Sequence, residues 1–362
     1  MNRRGLAVRT GLASLLSLFA LAGPGAAQDA REWRLYVEND KFDFLGDNSD
    51  RYYTNGLRLE IPGGPQTLES AFLPGVTHDD WCRLLCGDAA EEDVVAGFSV
   101  GQNMYTPAII TIARPQPYDR PWAGLAYVSR FAAARSTDRA LGLQVQRQDR
   151  LEATLGVVGP ASLAGPTQIE WHRLFGWDHP AGWDNQLRNE PVLQLQYATA
   201  RRWPPDDGGH FDVIPRVRAN AGNALVSLEA EATVRIGWNL AGFGPTTSPM
   251  APPPPPLLRG EGLAGSGGGR WLRSANLFAR AGVKAVAHSI FLDGNTFASN
   301  DIRIERTPIV SEWAAGVEAN LVGPLWLSYQ YVERSSEFTS PLGGKAPGHR
   351  FGSMTFAYRK AL

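Results

Sequence analysis

Apolar and polar residues alternate in short stretches that follow one another along most of the chain. In residues 228–236 every even position is apolar, while the odd positions are Glu229, Glu231, Thr233 and Arg235. The same period of two recurs in residues 193–197, 277–285 and 325–331. Side chains of a β-strand point alternately to opposite faces, so this pattern predicts strands rather than amphipathic helices.

The alternation predicts twelve strands. An even number of antiparallel strands returns the C-terminus to the side on which the first strand begins. The predicted strands are residues 32–40, 52–61, 94–102, 122–134, 149–158, 191–201, 210–220, 226–238, 275–288, 308–321, 325–334 and 350–359.

Arginine and glutamate occupy the polar face in many of these strands. The strands of a soluble β-sandwich also alternate between apolar and polar residues, but there the apolar faces pack together as a core and the polar faces meet water. Apolar faces outside and charged faces around a wet interior are typical of a membrane barrel. Bilayer insertion also requires the sheet to close, because every backbone group in lipid needs a partner. We therefore predict an all-β fold, a transmembrane antiparallel β-barrel.

Counting strands assigns each connection to one side of the membrane. Residues 41–51, 103–121, 159–190, 221–225, 289–307 and 335–349 are predicted outside, with a short helical segment in the loop 159–190. Residues 62–93 and 239–274 are predicted to be periplasmic inserts within a barrel domain that spans 28–362. The second insert contains Pro252 to Pro256 and many glycines, which suit a flexible segment.

The N-terminus has the form of a signal peptide over residues 1–27. Arg3, Arg4 and Arg9 precede an apolar stretch of about ten residues, which is too short to span a bilayer, and cleavage is predicted before Gln28. Removing three arginines and no acid changes the formal charge from -1 to -4. This near-balance does not indicate a nucleic-acid partner.

The two cysteines, Cys82 and Cys86, lie close together in the first predicted insert. In an oxidising compartment a local disulfide is the simplest interpretation, and an idle thiol pair is the alternative. A zinc site would need two more ligands, and only His78 is near.

Three polar clusters fall near the outer ends of strands. They are Glu38-Asn39-Asp40, the segment Tyr52 to Gly56, and Gln168 with His172 and Asp178. Alternation predicts that Asp40 and Thr54 point into the barrel. Such residues are common in turns, so residue type alone favours a structural interpretation. Their oxygens suit calcium, although the chain has no EF-hand loop.

Residues Gly97 to Gly101 match the pentapeptide of serine hydrolases. That motif requires a strained turn between a strand and a helix. Here it falls within a predicted strand, so we expect Ser99 to be structural.

The polar clusters resemble the lipid A 3′-O-deacylase family of Gram-negative outer-membrane barrels, and the resemblance covers nearly the whole mature chain. The matching stretches are Glu38-Asn39-Asp40, Tyr52 to Leu57, Gly101 to Pro107, Asp119 to Gly124, Leu155 to Pro160, Gln168, His172 to Gly176 and Trp183 to Gln186.

The resemblance implies a twelve-stranded barrel in the outer membrane that removes the 3′ acyloxyacyl chain of lipid A, with calcium required. The catalytic residues would be His172, Asn39 and Gln168. The calcium site would include Asp40 and Thr54. The partner would be lipid A or lipopolysaccharide, and we expect a monomer.

Asp178 stands where a member of the family has glutamate, and we assign it to the calcium site as well. In the resulting mechanism His172 activates water and calcium stabilises the oxyanion, so no serine nucleophile is needed. Two alternatives stay open: a serine-dependent barrel lipase, and a barrel without enzymatic activity that serves as a pore or a structural protein.

Overall fold

Twelve antiparallel strands close into a barrel in the computed structural model, which describes residues 32–43, 51–63, 94–204, 209–240, 242–244, 272–321, 325–342 and 344–359. Each strand pairs with its neighbours along the chain, and the last strand closes the barrel on the first. This confirms the predicted fold class. The barrel strands are β1 (Glu32–Asn39), β2 (Tyr52–Gly63), β3 (Val94–Thr106), β4 (Ala123–Ala140), β5 (Leu143–Val158), β6 (Glu190–Arg202), β7 (Gly209–Gly222), β8 (Leu225–Leu240), β9 (Leu272–Ser289), β11 (Ile309–Leu321), β12 (Leu325–Arg334) and β14 (His349–Arg359).

Strands β4 and β5 extend well beyond their predicted ends at residues 134 and 149. Their pairing continues to Ala140 opposite Leu143, and a two-residue turn at Leu141 and Gly142 joins them. Both turn residues have positive φ, 51° and 79°, as type I′ hairpin turns require. Residues 135–139 and 146–148 are polar at every position, so the period of two that marks a half-buried strand disappears there although the hydrogen-bond ladder continues.

The strands that flank the two predicted periplasmic inserts extend further than predicted, so both inserts begin or end inside their predicted bounds. Residues 62, 63, 239, 240 and 272–274 belong to strands β2, β8 and β9. Residues 64–93 and 245–271, the predicted signal peptide 1–27, and both cysteines lie outside the described residues.

Paired charges fill the described interior of the barrel. In one cluster Arg58 contacts Glu152 at 2.7 Å and Glu60 at 2.9 Å, and Arg150 contacts the same two carboxylates. In another, Arg235 contacts Asp212. These side chains are almost fully buried, and buried charges require such partners. The polar faces therefore point inward as predicted, but packed side chains occupy the described interior where a wet lumen was expected.

An apolar cluster lies above these charges, at the outer end of the barrel. Tyr53 and Tyr105 belong to it, together with Phe291 from the loop after β9 and Leu187 from the loop before β6. Phe291 stacks on Tyr105 with ring centroids 4.0 Å apart. Apolar side chains from several strands and two loops therefore pack together in the described part of the outer end.

The outer loops also contain a small sheet of β10 (Glu305–Arg306) and β13 (Phe338–Thr339). Beside it, Arg120 donates to Glu337 at 2.7 Å and so joins two loops that are distant in sequence. Burial alone would raise the pKa of the Glu337 carboxyl, but the charges of Arg120 and Arg334 outweigh it and lower the pKa to about 2. The ion pair is therefore formed across the neutral range.

Two α-helices occur in the described outer loops, α1 (Ala164–Phe175) and α2 (Ile290–Asp293). Helix α1 confirms the helical segment predicted within residues 159–190. It ends at Gly176, whose φ of 71° suits a glycine cap. None of the helices in the described part of the chain has the length and apolar character needed to cross a membrane.

Candidate active site on the outer wall of the barrel

Helix α1 packs against the outside of the barrel wall at its outer end. Leu125 on β4 belongs to the interior cluster, so the adjacent Gly124 faces outward. A Cβ atom at Gly124 would lie 2.2 Å from the Ser162 hydroxyl and 2.3 Å from the Ala164 Cβ. On β3, Gln102 donates from Nε2 to the Ser162 carbonyl at 2.7 Å. Only glycine at 124 lets the start of the helix approach this closely.

His172 lies on the buried face of α1 and is 3% exposed. Its Nδ1 is 2.5 Å from the backbone carbonyl oxygen of Asp178. A carbonyl oxygen only accepts hydrogen bonds, so Nδ1 carries the proton and the neutral ring keeps its lone pair on Nε2. The ring of Trp177 packs edge-on, 5.5 Å away between centroids. The imidazole is thus held in one orientation and one tautomer, as a general base requires.

Gln168 lies one helical turn before His172, on the same buried face of α1. Its Oε1 accepts a hydrogen bond of 2.7 Å from the indole Nε1 of Trp183. The structure therefore brings together the two predicted catalytic residues of this loop.

Asp178 contributes to the site through its backbone. Its side chain is exposed, whereas its carbonyl oxygen orients His172. The orienting carbonyl would survive replacement of the aspartate by glutamate or alanine. The predicted metal role of the Asp178 carboxylate stays a prediction.

Asn39 and Asp40 lie where β1 ends and a 3-10 helix, Asp40–Phe42, begins. The half-buried Asn39 caps this turn, because its Oδ1 accepts from the Lys41 backbone N–H at 2.7 Å. Asp40 is fully buried and its Oδ2 accepts from the backbone N–H of Arg51 at 2.7 Å. The Lys41 ammonium lies 5.8 Å from the ring centroid of Trp177, the residue that packs on His172. The Asn39–Asp40 turn and the histidine loop are therefore neighbours.

Thr54 departs from the predicted inward direction. Tyr53 pairs with Tyr105 and Asn55 with Met104, so Thr54 is an extra residue in β2, a β-bulge. Its hydroxyl lies 2.7 Å from that of Thr106. Thr106 is two positions beyond Met104, which packs outside the barrel against α1. The bulge breaks the alternation on which the inward prediction depended and turns Thr54 to the same outer wall as α1.

The positions of Asp40 and Thr54 fit a hard cation. The last residue pair of β1 and β2 is Asn39 with Asn55, so Asp40 and Thr54 follow as neighbours at the strand ends. Carboxylate and neutral oxygens are the ligands that calcium takes. Among the described residues no group of three His, Cys, Asp or Glu side chains is placed to bind a metal.

The pentapeptide Gly97 to Gly101 lies entirely within β3, as predicted. Ser99 is buried. A Cβ atom at Gly97 would lie 2.5 Å from the Phe131 ring, and one at Gly101 would lie 2.4 Å from the Tyr127 ring. The two glycines make room for interior aromatic rings, so the motif is structural.

Two features of the site were not predicted from the sequence. One is the hydrogen bond of Trp183 to Gln168, which joins residues 15 positions apart. The other is an exposed aromatic face on α1, where the rings of Trp171 and Phe175 stack 5.4 Å apart and Phe175 stacks on Trp177 at 5.0 Å. The spacing of Trp171, Leu174 and Phe175 at i, i+3 and i+4 is the signal that identifies this face.

The model of the family described as outer membrane protein LpxR matches residues 12–360. This chain belongs to the LpxR family. The match confirms the resemblance to lipid A 3′-O-deacylases and places this LpxR-family protein in the outer membrane of a Gram-negative bacterium.

The chain is similar to several solved structures, and the first of these shows the same fold. LpxR from Salmonella typhimurium is 20% identical, with a TM-score of 0.62 over 91% of this chain and 99% of that chain. The β domain of the Bordetella autotransporter BrkA is 11% identical, with a TM-score of 0.40 over 91% and 99%. The KdgM porin, in complex with disordered oligogalacturonate, is 5% identical, with a TM-score of 0.36 over 91% and 99%. No curated protein sequence matches this chain.

Proposed function

We propose that this LpxR-family protein is a calcium-dependent lipid A deacylase that hydrolyses the ester of the 3′ acyloxyacyl chain. One observation carries the proposal. The buried His172, held in a single tautomer, lies on a helix that packs against the lipid-facing wall of the barrel. Family membership supports the reaction class.

The histidine has the properties of a base that activates water. Nε2 takes a proton from water, and the oxygen of that water attacks the ester carbonyl carbon. The tetrahedral intermediate collapses as the bond to the sugar oxygen breaks, and the imidazolium returns its proton to that oxygen. The products are a free acyloxyacyl carboxylic acid and lipid A with a 3′ hydroxyl. The Asp178 carbonyl stabilises the imidazolium that forms in between.

Asp40 and Thr54 are the residues that would hold calcium, which supplies positive charge where the oxyanion develops. Asp40 is anchored for this role, because the Arg51 N–H fixes one of its carboxylate oxygens. Asn39 fixes the turn that presents Asp40, through its cap of the Lys41 N–H.

The exposed face of α1 fits a lipid substrate. Leu174 is 61% exposed and Phe175 is 53% exposed, although both are large apolar residues. Aromatic residues at the end of a membrane barrel are typical of the boundary between headgroups and acyl chains. The polar face of the same helix carries Gln168 and His172 toward the wall. An ester in the outer leaflet would therefore reach the site laterally, without leaving the membrane.

Mass spectrometry of lipid A tests the proposal. Lipid A from cells that express the protein should lose one acyloxyacyl unit from the 3′ position, and purified protein should catalyse the same loss in calcium but not in chelator. Lipid A of unchanged mass under both conditions would contradict the proposed activity. Inactivation by a serine-directed reagent would favour the serine lipase alternative.

A further inference from the structure

The amide of Gln168 has only one orientation that satisfies its neighbour Trp183. An indole N–H can only donate, so it must meet the amide carbonyl oxygen, and the two are 2.7 Å apart. The NH2 group of Gln168 is therefore turned away from Trp183. This nitrogen is buried, and within the described part of the chain it has no hydrogen-bond partner.

A buried donor without a partner is rare in proteins and points to a ligand or a reacting group. The donor here lies on the face of α1 that carries His172, one turn away from it. Ester hydrolysis creates a negative oxygen beside the base, and such an oxygen is stabilised by donors held in place before the reaction starts.

We propose that Trp183 is a positioning residue that turns the Gln168 NH2 group toward the oxyanion of the ester. The inference rests on the proposed function and adds to it. Calcium would stabilise one side of the oxyanion, and Gln168 would donate a hydrogen bond from another side.

The packing around Trp183 explains how the amide is held. A Cβ atom at Gly165 would lie 3.0 Å from the Trp183 ring, so the first turn of α1 rests directly on the indole. Trp183 is only 5% exposed. The donor is therefore fixed before the substrate binds, as transition-state stabilisation requires.

Four variants separate the donor from the packing. Removal of one oxyanion donor typically lowers kcat about 10²- to 10³-fold, and we expect Gln168→Ala to fall in this range with little change in KM. Gln168→Glu keeps an acceptor for the indole but has no NH2 group, so its kcat should fall as far while its melting temperature is retained. Trp183→Phe keeps a ring but frees the amide to rotate, and its kcat should fall at least about 10-fold. In the double variant, adding Trp183→Phe to Gln168→Ala should lower kcat no further than Gln168→Ala alone.

Trp122→Phe is the matched control. Trp122 is buried against Trp183, and its own Nε1 has no partner among the described residues. Its replacement removes a similar amount of packing and no hydrogen bond, so kcat should stay within about 2-fold of wild type. A loss of activity shared by both tryptophan variants and matched by a loss of melting temperature would overturn the inference.

Kinetics on purified lipid A with calcium distinguish the remaining outcomes. Wild-type kcat in Trp183→Phe or in Gln168→Glu would overturn the positioning role and leave the proposed function intact. Independent, multiplicative losses in the double variant would also overturn it. An inactive wild-type protein would overturn the proposed function and this inference with it.

Discussion

Replacing His172 by asparagine removes the proposed base and keeps the hydrogen bond that orients it. The side-chain nitrogen of asparagine occupies nearly the position of the histidine Nδ1, because both are bonded to Cγ. It can still donate to the Asp178 carbonyl, which lies 2.5 Å from Nδ1 in the wild-type protein. No atom of asparagine reaches the position of Nε2. The variant therefore tests the base and leaves the loop intact.

The expected loss follows from general-base catalysis, which contributes about 10²- to 10⁴-fold in rate. This factor corresponds to about 3 to 5 kcal/mol of transition-state stabilisation. The fall should appear in kcat, because the base acts after the substrate binds. The melting temperature should change little, since the hydrogen bond to the Asp178 carbonyl is retained.

The assay is release of the acyloxyacyl acid from purified lipid A in calcium, followed by mass spectrometry. His179→Asn is the matched control, because His179 is in the same loop but exposed. It should keep most of the activity. Near-normal turnover in His172→Asn would refute the water mechanism even if lipid A is the substrate. A loss of activity of equal size in His179→Asn would show that the loop is sensitive to any substitution.

Three other predictions test different parts of the structure. In Asp40→Asn the side chain still accepts the hydrogen bond from the Arg51 N–H but loses its charge, so activity should require a higher calcium concentration. Titration of the activity with calcium measures this change. An unchanged titration would exclude a metal at Asp40. Trp171→Ser should lower turnover on lipid A vesicles several-fold and leave activity on a dispersed short-chain ester unchanged. Phe297→Ser is the control, because Phe297 is also exposed. Equal effects of the two substitutions would contradict a lipid-contacting face on α1. The lowered pKa of Glu337 stabilises the folded state by on the order of 3 kcal/mol above pH 4.5, and this contribution is lost as the pH falls toward 2. The difference in melting temperature between wild type and Glu337→Gln should therefore be full at pH 6 and shrink with acid, and a difference independent of pH would contradict the ion pair.

Strand alternation predicted the barrel because a strand with one lipid face and one polar face must alternate. It identified all twelve barrel strands, and Leu228 with Glu229 shows why: one side chain is exposed and the next is buried. It failed at residues 135–148, where residues 135–139 and 146–148 are polar at every position. It also did not predict that Arg58 and Arg150 would share two carboxylates, because each pairing depends on which strands meet across the barrel.

The site was harder to predict because its geometry departs from the regular strand at each residue. Thr54 was assigned to the wrong face, since a single extra residue in β2 reverses the alternation. The sequence indicated Asp178 for its carboxylate, whose role stays a prediction, and did not indicate the contact of its backbone carbonyl with His172. Gln168 depends on an indole 15 residues away. Residue types indicated which segments contribute to the site, whereas the direction in which each side chain points depended on the local backbone geometry.

These departures have a common physical origin. Within the bilayer the backbone of a closed barrel is fully paired, so regular strands offer a lipid only side chains on a uniform wall. A polar site that reaches a membrane ester must therefore be built where the strands end. Asp40 lies in the turn that ends β1, Thr54 lies in a bulge at the start of β2, and His172 is added from a helix packed on the wall. The outer rim is also the depth at which polar headgroups meet acyl chains. A site at the rim therefore leaves the strands within the bilayer fully paired and lies at the depth of an ester substrate.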